Sequence, residues 1–576
     1  MKKLLLFASS FAFMATSMAQ VVFSVESPES LQGSKDLEYA PAGNDWAAMT
    51  DLLDPNNAIL DTLVIYRDDQ AADSLGCFIA VNDDELAGKI AILYRGDCEF
   101  GQKALNAQDA GAIACVIINN QPGGPVGMAA GSVGADVTIP TVMISDVDGE
   151  AITNAMRQGE DVVVFIGNKT GFYPNDIGIT RGSVIRAQSF GVHSLLAQDG
   201  DDFSVDMGAM VYNYGFFDAK NVKLNATITL DNQEIYNETA ATVPNIDAGD
   251  SIFLSLPTFS QSAYDNGYYH VLYSVESDSV DSYDFDNSAT ADFAINDDMF
   301  SFSTLDENDL SLTHPGGTRA NAEIFEACIV FRNPNASRVI ATGLSFSAVT
   351  SAASELELDG IPIGISVKRW DDFFTDLDDP GVDVSGIVEL EQTEFFFDGD
   401  PQGEIMYAKF NDAVQLQDNQ RYLFCVETFE EELFFGYDRT VDYDYNVSTF
   451  YRQPLFPITI DGSQTFLLGF GNDAVPAIGV NLIDAIFLST EEALKDIKMR
   501  AYPSPATSTV TVDFQGHDAA SVEVLSLTGQ RVHFETVNSG VAETIVDVNS
   551  LENGLYLFRV NLRNGSSKTL NVVVSH

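Results

Sequence analysis

The six histidines are the residues from which a hydrolytic site could most readily be assembled. They stand at positions 193, 270, 314, 517, 533 and 576. No pair has the His-Glu-x-x-His spacing that places two zinc ligands on one helical face, and no Gly-x-Ser-x-Gly turn is present to activate a serine. His270 falls within an alternating strand pattern, where a structural role is expected. The sequence therefore disfavours a metallopeptidase or a serine peptidase.

Acidic residues are the other groups that could perform chemistry, as ligands for calcium, which prefers hard oxygen donors. Two clusters qualify: Asp371, Asp372, Asp376 and Asp378 in one, and Asp281, Asp284 and Asp286 in the other. Each is more typical of a solvated acidic turn, so we expect that no cofactor is required and that calcium is possible. A carboxylate pair for glycoside hydrolysis cannot be singled out among 85 acidic residues.

The charge balance narrows the classes of partner. Lys and Arg number 29 against 85 Asp and Glu, which gives a formal net charge of −56. Such a chain would repel phosphate backbones, so we expect no nucleic-acid partner. Residues 1–19 combine two lysines, a short apolar segment and small residues before a cleavage site, the pattern of a signal peptide. No later apolar stretch is long enough to predict a transmembrane helix.

The elements that must position these groups begin with an α+β domain at residues 21–169. Short apolar runs predict strands, and two stretches of helical spacing lie between them: strands at 90–94, 115–118, 142–144 and 162–166, helices at 98–110 and 149–157. Cys115 lies within one apolar run, and we expect it to be a buried, unreactive thiol.

Two further regions read as β-sandwiches. In residues 181–297 apolar residues recur with a period of two, as in Val222, Leu224, Ala226, Ile228 and Leu230, which indicates an Ig-like sandwich. Residues 300–488 are aromatic and carry five strand candidates, which predict a jelly-roll-like sandwich: 329–331, 363–367, 394–397, 422–426 and 465–470. Cys328 and Cys425 fall in or beside two of these strands. We expect a disulfide between them rather than two separate buried thiols.

An ordered set of residues in the first domain resembles the protease-associated (PA) domain of secreted peptidases and sorting receptors. The set comprises Gly88-Lys89-Ile90, Tyr94-Arg95-Gly96-Asp97-Cys98-Glu99-Phe100, Lys103, Ala107, Gly111-Ala112, Asn119-Asn120 and Pro140. The resemblance implies a non-catalytic domain that binds peptide or protein segments, with a disulfide between Cys77 and Cys98. It also implies a peptide groove beside a Gly-rich loop, for which the candidate contacts are Asn119, Asn120, Gln121 and Met128.

Residues 501–576 resemble the type A C-terminal sorting domain of type IX secretion substrates. The resemblance lies in Ala501-Tyr502-Pro503-Ser504-Pro505, the run 522–532 and Leu551-Glu552-Asn553-Gly554-Leu555-Tyr556. The family has Asn where this chain has Ser504. The resemblance implies a small β-sandwich, recognition by the type IX secretion machinery, and a secreted or cell-surface location at the exterior of the outer membrane. Loss of this domain would leave His193 and His314 for any Ser/His/Asp arrangement.

A weaker resemblance to the CARDB-type adhesion sandwich covers Asn213-Tyr214-Gly215, Ala248-Gly249-Asp250-Ser251 and 284–287. The chain is thus predicted to be multi-domain and mainly β, in the order signal peptide 1–19, PA domain 21–169, CARDB-like sandwich 181–297, sandwich of unknown family 300–488 and sorting domain 501–576. The predicted function is a non-catalytic secreted or cell-surface protein whose PA domain engages a peptide or protein. The alternative is a secreted hydrolase, or a carbohydrate-binding module, with Trp370 and Tyr407 lining a cleft near Asp371.

Overall fold

The computed structural model describes residues 21–576 with short gaps. The structure does not describe residues 1–20, 44, 71–73, 121–123, 315, 321, 351–355, 372–383, 385, 451–454, 486–498, 516–518, 527–530 and 564–566. The predicted signal peptide therefore lies outside it. Strands hold 47% of the chain and helices 10%, which confirms a multi-domain, mainly β fold. The chain divides into two compact units, of which the second comprises Ser337–Ile340 and Ile483–His576.

The first region is built on one eight-stranded sheet. Its strands are β1 (Val21–Ser27), β2 (Gly33–Lys35), β3 (Leu37–Tyr39), β4 (Ile59–Ile65), β5 (Ile90–Tyr94), β6 (Ala114–Ile118), β7 (Thr141–Ile144) and β8 (Val163–Asn168). Their order is β2-β1-β8-β4-β5-β6-β7-β3. Strands β4 to β7 are parallel, and β8 is antiparallel to β1 and β4. The carboxyl ends of four strands therefore meet at one side of the sheet, which we call the carboxyl edge.

Helices cover both faces of this sheet: α1 (Asp83–Leu86), α2 (Phe100–Asp109) and α3 (Asp146–Arg157). Cys115 and Ile117 of β6 pack on the face shared with α2, whereas Val116 and Ile118 pack on the face shared with α3. A strand covered on both faces needs no polar side, which is why the run 112–118 is apolar throughout. The predicted strands and helices of this region are confirmed to within a few residues.

Gly101 shows how tightly α2 packs. A Cβ at this position would lie 2.0 Å from the carbonyl oxygen of Ala130 and 2.9 Å from the Cα of Gly134. Gly101→Ala is expected to lower the free energy of unfolding by about 1–3 kcal/mol, because backbone atoms must move and this outweighs alanine's better helix propensity. Denaturant unfolding measures the loss. Gly127→Ala, which has open space around its Cβ, is the matched control; equal stability of the two variants would contradict the prediction.

The middle region forms two sheets. Its strands are β9 (Ile177–Gly178), β10 (Gly191–His193), β11 (Val205–Asn213), β12 (Ala219–Leu230), β13 (Gln233–Thr239), β14 (Val243–Ile246), β15 (Ser251–Phe259), β16 (Gly267–Glu276), β17 (Ser288–Thr290) and β18 (Phe293–Asn296). Strands β15-β11-β9 form one sheet, and β13-β12-β16-β18-β10 belong to a larger one. In β12, Leu224, Ala226 and Ile228 are fully buried, as their alternation predicts.

The third region continues that larger sheet and adds a six-stranded one. Its elements are β19 (Met299–Ser301), β20 (Gly317–Thr318), β21 (Phe325–Phe331), β22 (Val339–Thr350), β23 (Pro362–Trp370), β24 (Ile387–Phe396), β25 (Ile405–Gln415), β26 (Arg421–Thr428), β27 (Leu433–Asp438), α4 (Asp444–Phe450), β28 (Ile458–Ile460), β29 (Gln464–Phe466), β30 (Val475–Pro476) and β31 (Ile478–Asp484). The six-stranded sheet has the order β24-β23-β26-β21-β28-β29.

Two sequence expectations for this region have clear outcomes. Cys328 of β21 lies directly opposite Cys425 of β26, and the two are joined by the predicted disulfide. The strand predicted at 465–470 is wrong beyond Phe466, where β29 ends. Gly469 has a φ of 55°, a left-handed backbone conformation that an extended strand cannot contain.

The second unit contains a small sandwich. Its strands are β32 (Arg500–Tyr502), β33 (Thr509–Asp513), β34 (Ala519–Leu525), β35 (Arg531–Thr536), β36 (Glu543–Asp547), β37 (Gly554–Leu562) and β38 (Ser567–Val574). They form the sheets β32-β33-β36 and β35-β34-β37-β38. Val512, Val524 and Phe558 are among the buried residues that fill the space between them. Among the described residues, no helix is both long and apolar enough to cross a membrane.

Candidate functional site

The carboxyl edge of the first sheet gathers polar side chains from successive turns. Arg95 follows β5, Asn119 follows β6 and Ser145 follows β7. Ser145 caps α3 by accepting a hydrogen bond from the backbone N–H of Asp148 at 3.0 Å, so its hydroxyl serves the helix. Ligands of parallel sheets bind outside the carboxyl ends of the strands, where such turns converge. The carboxyl edge is therefore the candidate ligand-binding edge of this sheet.

Arg95 is the charged group at the centre of this edge. Its Nη1 donates a hydrogen bond to Asn119 Oδ1 at 2.9 Å, and Asn119 Nδ2 donates to the carbonyl of Gly124 at 2.8 Å. The guanidinium also lies 6.0 Å from the Phe100 ring centroid. Partial burial lowers the pKa of Arg95. Within the described part of the chain, no carboxylate pairs with it, so its charge is available to a ligand.

A strap, residues 74–81, crosses beside this turn and is held rigidly. The disulfide between Cys77 and Cys98 joins it to the turn after β5, as predicted. Lys103 of α2, which is fully buried, donates from Nζ to the carbonyl of Leu75 at 2.5 Å, and Asn106 Nδ2 donates to the carbonyl of Gly76 at 2.9 Å. These bonds fix the backbone of the strap against α2.

The strap presents apolar side chains to solvent. Phe78 is 56% exposed, Ile79 is 85% exposed and Val81 is 59% exposed. Adjacent exposed apolar side chains on a rigid backbone are typical of a contact surface for another chain. Asn120 adjoins the same turn, since a Cβ on Gly96 would lie 3.4 Å from its Nδ2 and 3.4 Å from Leu75 Cδ2.

A shallow cavity of about 430 Å³ opens at the same edge beside β4. Arg67, Glu85 and Arg157 are among the residues that line it. Arg67 pairs with Glu85 at 2.7 Å, and Arg157 donates to the Tyr94 hydroxyl at 3.1 Å. Arg67 is therefore paired with a carboxylate, which distinguishes it from Arg95.

The predicted contact residues occupy different environments. Asn119 and Met128 are buried, and the Met128 carbonyl accepts a hydrogen bond from Trp46 Nε1 at 3.1 Å. Asn120 is exposed, and Gln121 lies outside the described residues. Sequence reasoning singled out neither Arg95 nor the exposed strap residues. An arginine directly after a buried strand, in a chain with few cations, was the signal that could have identified it.

The buried thiol and amine of this domain have shifted pKa values. Burial raises the pKa of Cys115 to about 12, and burial lowers the pKa of Lys103 to about 8. Cys115 is free and inaccessible to solvent. Reactive cysteines are exposed thiolates, so Cys115 is a packing residue.

Of the four predicted metal ligands, only Asp371 lies among the described residues. Asp371 accepts hydrogen bonds from Arg369 Nε and Nη2 at 2.8 and 2.9 Å, while Asp372, Asp376 and Asp378 lie outside the described residues. Among the residues that are described, Glu326, Cys328 and Cys425 have ligand-type atoms that all lie within 4.8 Å of one another. Both sulfurs there form the disulfide, which removes them as metal ligands.

His193 and His314, the two histidines left for a Ser/His/Asp arrangement, have structural surroundings. His314 Nδ1 lies 2.7 Å from Ser347 Oγ, but Ser347 is fully buried, so a substrate could not reach its hydroxyl. His193 Nδ1 accepts from the backbone N–H of Leu195 at 3.2 Å. Trp370 is fully buried in the cluster around the Cys328–Cys425 disulfide, so the expectation that it lines a cleft is wrong.

Comparison with known families identifies two segments of the chain. The PA domain model matches residues 61–152, and the model of the secretion system C-terminal sorting domain matches residues 500–575. The chain carries a PA domain and a type IX secretion sorting domain. The sorting domain indicates secretion to the cell surface or to the exterior of the outer membrane.

Curated relatives are similar over a limited segment. ER degradation-enhancing alpha-mannosidase-like protein 3 of Xenopus laevis is 36% identical over 16% of this chain and 11% of its own length. Leucine aminopeptidase 2 of Trichophyton equinum is 32% identical over 22% and 25%, and minor extracellular protease Vpr of Bacillus subtilis is 37% identical over 14% and 9%. The chain thus spans at most a quarter of the length of these relatives.

Solved structures give equally local similarities. An aminopeptidase from Aneurinibacillus sp. strain AM-1 is 22% identical, covering 26% of this chain and 30% of that one, with a TM-score of 0.20. The CARDB domain of a Pyrococcus furiosus protein matches a middle region at 19% identity, covering 22% of this chain and 98% of that one, with a TM-score of 0.16. Scores this low carry no conclusion about function.

Proposed function

We propose that this exported chain is a non-catalytic binding protein whose PA domain holds a peptide or protein segment at its carboxyl edge. The observation that carries the proposal is Arg95, a half-buried guanidinium without a carboxylate partner among the described residues, beside the exposed apolar strap. The burial of His193 and Ser347 and the partial burial of His314 support a binding role over a hydrolytic one.

The chemistry of the edge indicates what it would bind. A guanidinium offers paired N–H donors to a carboxylate, and partial removal from water strengthens those bonds. Phe78 and Ile79 on the strap offer apolar contact area at one side of the same turn. The fitting ligand is therefore an apolar peptide segment that carries a carboxylate, either at its C terminus or on an acidic side chain. The disulfide-held strap is rigid before binding, which reduces the entropy lost on association.

Arg95→Gln is expected to raise the Kd for such peptides by about tenfold to a hundredfold, because hydrogen bonds to a charged group contribute about 1.5–3 kcal/mol. Calorimetry with apolar peptides, tested with a free and with an amidated C terminus, measures the change. Arg67→Gln is the matched control: it lies at the same edge but is paired with Glu85, so its Kd should stay close to that of the wild type. If Arg95→Gln binds as tightly as Arg67→Gln, Arg95 is not the anchor.

A carbohydrate-binding role for residues 300–488 is a second candidate. Phe396 of β24 and Tyr407 of β25 are 56% and 47% exposed, and exposed aromatic rings can stack on sugars. Glycan-array binding that is lost in Tyr407→Ala would support it. Binding that is unchanged in this variant would reject Tyr407 as the contact.

A further inference from the structure

A buried cluster of three charged residues lies where the first sheet ends and the middle region begins. Lys169 directly follows β8, and its Nζ lies 2.8 Å from Asp176 Oδ1 and 2.5 Å from Asp286 Oδ2. The side chains of Lys169 and Asp176 have no solvent exposure, and that of Asp286 is 10% exposed. Asp286 lies in a 3-10 turn, Asp284–Asp286, near the C-terminal end of the middle region.

The surroundings are shaped around these three groups. Lys169 Nζ lies 4.4 Å from the ring centroid of Tyr214 and 4.2 Å from that of Tyr283, so two aromatic faces exclude water from the amine. Gly178 leaves room for the acid, since a Cβ there would lie 2.0 Å from Asp286 Oδ2. The amine and both carboxyl groups are thus held in contact in a dry site, as a reaction between them requires.

A simple ion pair is poorly satisfied here. Two carboxyl groups face one ammonium, and Asp176 Oδ2 and Asp286 Oδ1 are both buried without a hydrogen-bond partner. Burial is the main cause that raises the pKa of Asp176 to about 7 and that of Asp286 to about 6. At neutral pH one carboxyl group can therefore carry a proton. Buried polar oxygens that lack partners are rare in stable proteins and call for an explanation.

We propose that Lys169 and Asp286 condense to a side-chain amide, an isopeptide cross-link, with Asp176 as the proton relay. The lysine ammonium passes one proton to Asp176, and the free amine attacks Cγ of Asp286. An Nζ–Cγ bond forms, one Cγ–O bond breaks, and the departing oxygen leaves as water with two protons that came from the ammonium. Asp176 returns to its starting state, and neither oxidant nor co-reactant is needed.

Asp286 is the acceptor because its oxygen is the nearer one and because its bond would have structural value. It lies 117 residues from Lys169, whereas Asp176 lies only seven residues away. A Lys169–Asp286 amide would covalently join the end of the PA sheet to the middle region. Such a bond would suit a protein that functions outside the cell. The cross-link does not depend on the proposed peptide binding.

Mass spectrometry of the reduced, denatured full chain tests the cross-link. The wild type is expected to weigh less than its sequence requires by one water molecule. Peptide mapping should show no tryptic cleavage after Lys169 and a branched peptide that contains both Lys169 and Asp286. Full sequence mass together with normal cleavage after Lys169 would overturn the proposal.

Lys169→Arg is the matched control, since arginine keeps the charge but does not form the amide. Water lost through succinimide formation at Asp-Gly sites, such as Asp148-Gly149, would persist in this variant, so the cross-link is shown only by a loss of water that the wild type has and Lys169→Arg lacks. Asp176→Asn is expected to slow cross-linking by about a hundredfold or more, because the proton relay is removed. Cross-linking at the wild-type rate in Asp176→Asn would overturn the role of Asp176.

Discussion

Replacing Cys328 and Cys425 together with alanine is expected to lower the free energy of unfolding by about 4–5 kcal/mol. The disulfide closes a segment of 97 residues, and the entropy that a cross-link removes from the unfolded chain grows with loop length. It also lies inside the six-stranded sheet, between β21 and β26, where both sulfurs are buried. Its loss would therefore raise the conformational entropy of the unfolded chain and leave a gap in the core of the folded one.

Denaturant unfolding of the full chain, followed by near-ultraviolet circular dichroism, measures this loss. Cys115→Ala is the control for removing a buried sulfur without opening a bridge, and its effect should be much smaller. The double Cys77/Cys98 variant should lose about 3 kcal/mol, because that loop spans only 21 residues. If the Cys328/Cys425 variant were no less stable than Cys115→Ala, the bridge would not constrain the unfolded chain as expected.

Periodicity in the sequence was sufficient for the elements whose faces differ. The alternation in β12 predicts its buried side, and Val271 and Tyr273 of β16 are buried opposite Ile228 and Ala226. The continuous apolar run of β6 predicts a strand covered on both sides. In each case the pattern reflects what a single element buries, which is local information.

Pairing between distant segments could not be read in this way. Nothing in Val21–Ser27 indicates that it pairs with β8 beyond position 160, since any apolar edge strand has the same pattern. Trp370 shows the converse problem: an aromatic residue next to acids suggests a sugar cleft, but the strand buries the ring beneath the disulfide. Packing partners, rather than residue type, decide such roles.

The candidate sites depend on the same kind of distant contact. The predicted contact residues Asn119 and Asn120 follow β6 at the carboxyl edge, and their role as contacts stays a prediction. That Arg95 has no carboxylate partner among the described residues is a property of the folded chain. Asp286 was grouped with Asp281 and Asp284 as an acidic cluster. Its partner Lys169 belongs to a different predicted domain, so sequence spacing gave no reason to join them.

Relative to Lys169→Arg, which keeps a cation and forms no amide, Lys169→Met is expected to have a free energy of unfolding lower by about 3–5 kcal/mol near neutral pH, because two buried carboxyl groups lose their cation. The deficit should depend on pH. The carboxyl pKa values are raised by burial, and Asp281 adds a further like charge nearby. Folded carboxyl groups with raised pKa values bind more protons than the unfolded chain does. Their contribution to stability is therefore complete below about pH 4 and is lost as the pH rises through the folded values of about 6 and 7.

Without the ammonium both folded pKa values should rise further, so the deficit of Lys169→Met should be smallest near pH 5 and grow above pH 6. Thermal unfolding at several pH values measures this dependence. The triple variant Lys169→Met, Asp176→Asn, Asp286→Asn is the matched control: it lacks the lysine and any amide derived from it, but it carries no buried acid. Its stability relative to Lys169→Arg should change less with pH than that of Lys169→Met. If the two variants respond to pH alike, the buried carboxyl groups are not the cause of the loss, and the contribution of Lys169 comes from packing between Tyr214 and Tyr283.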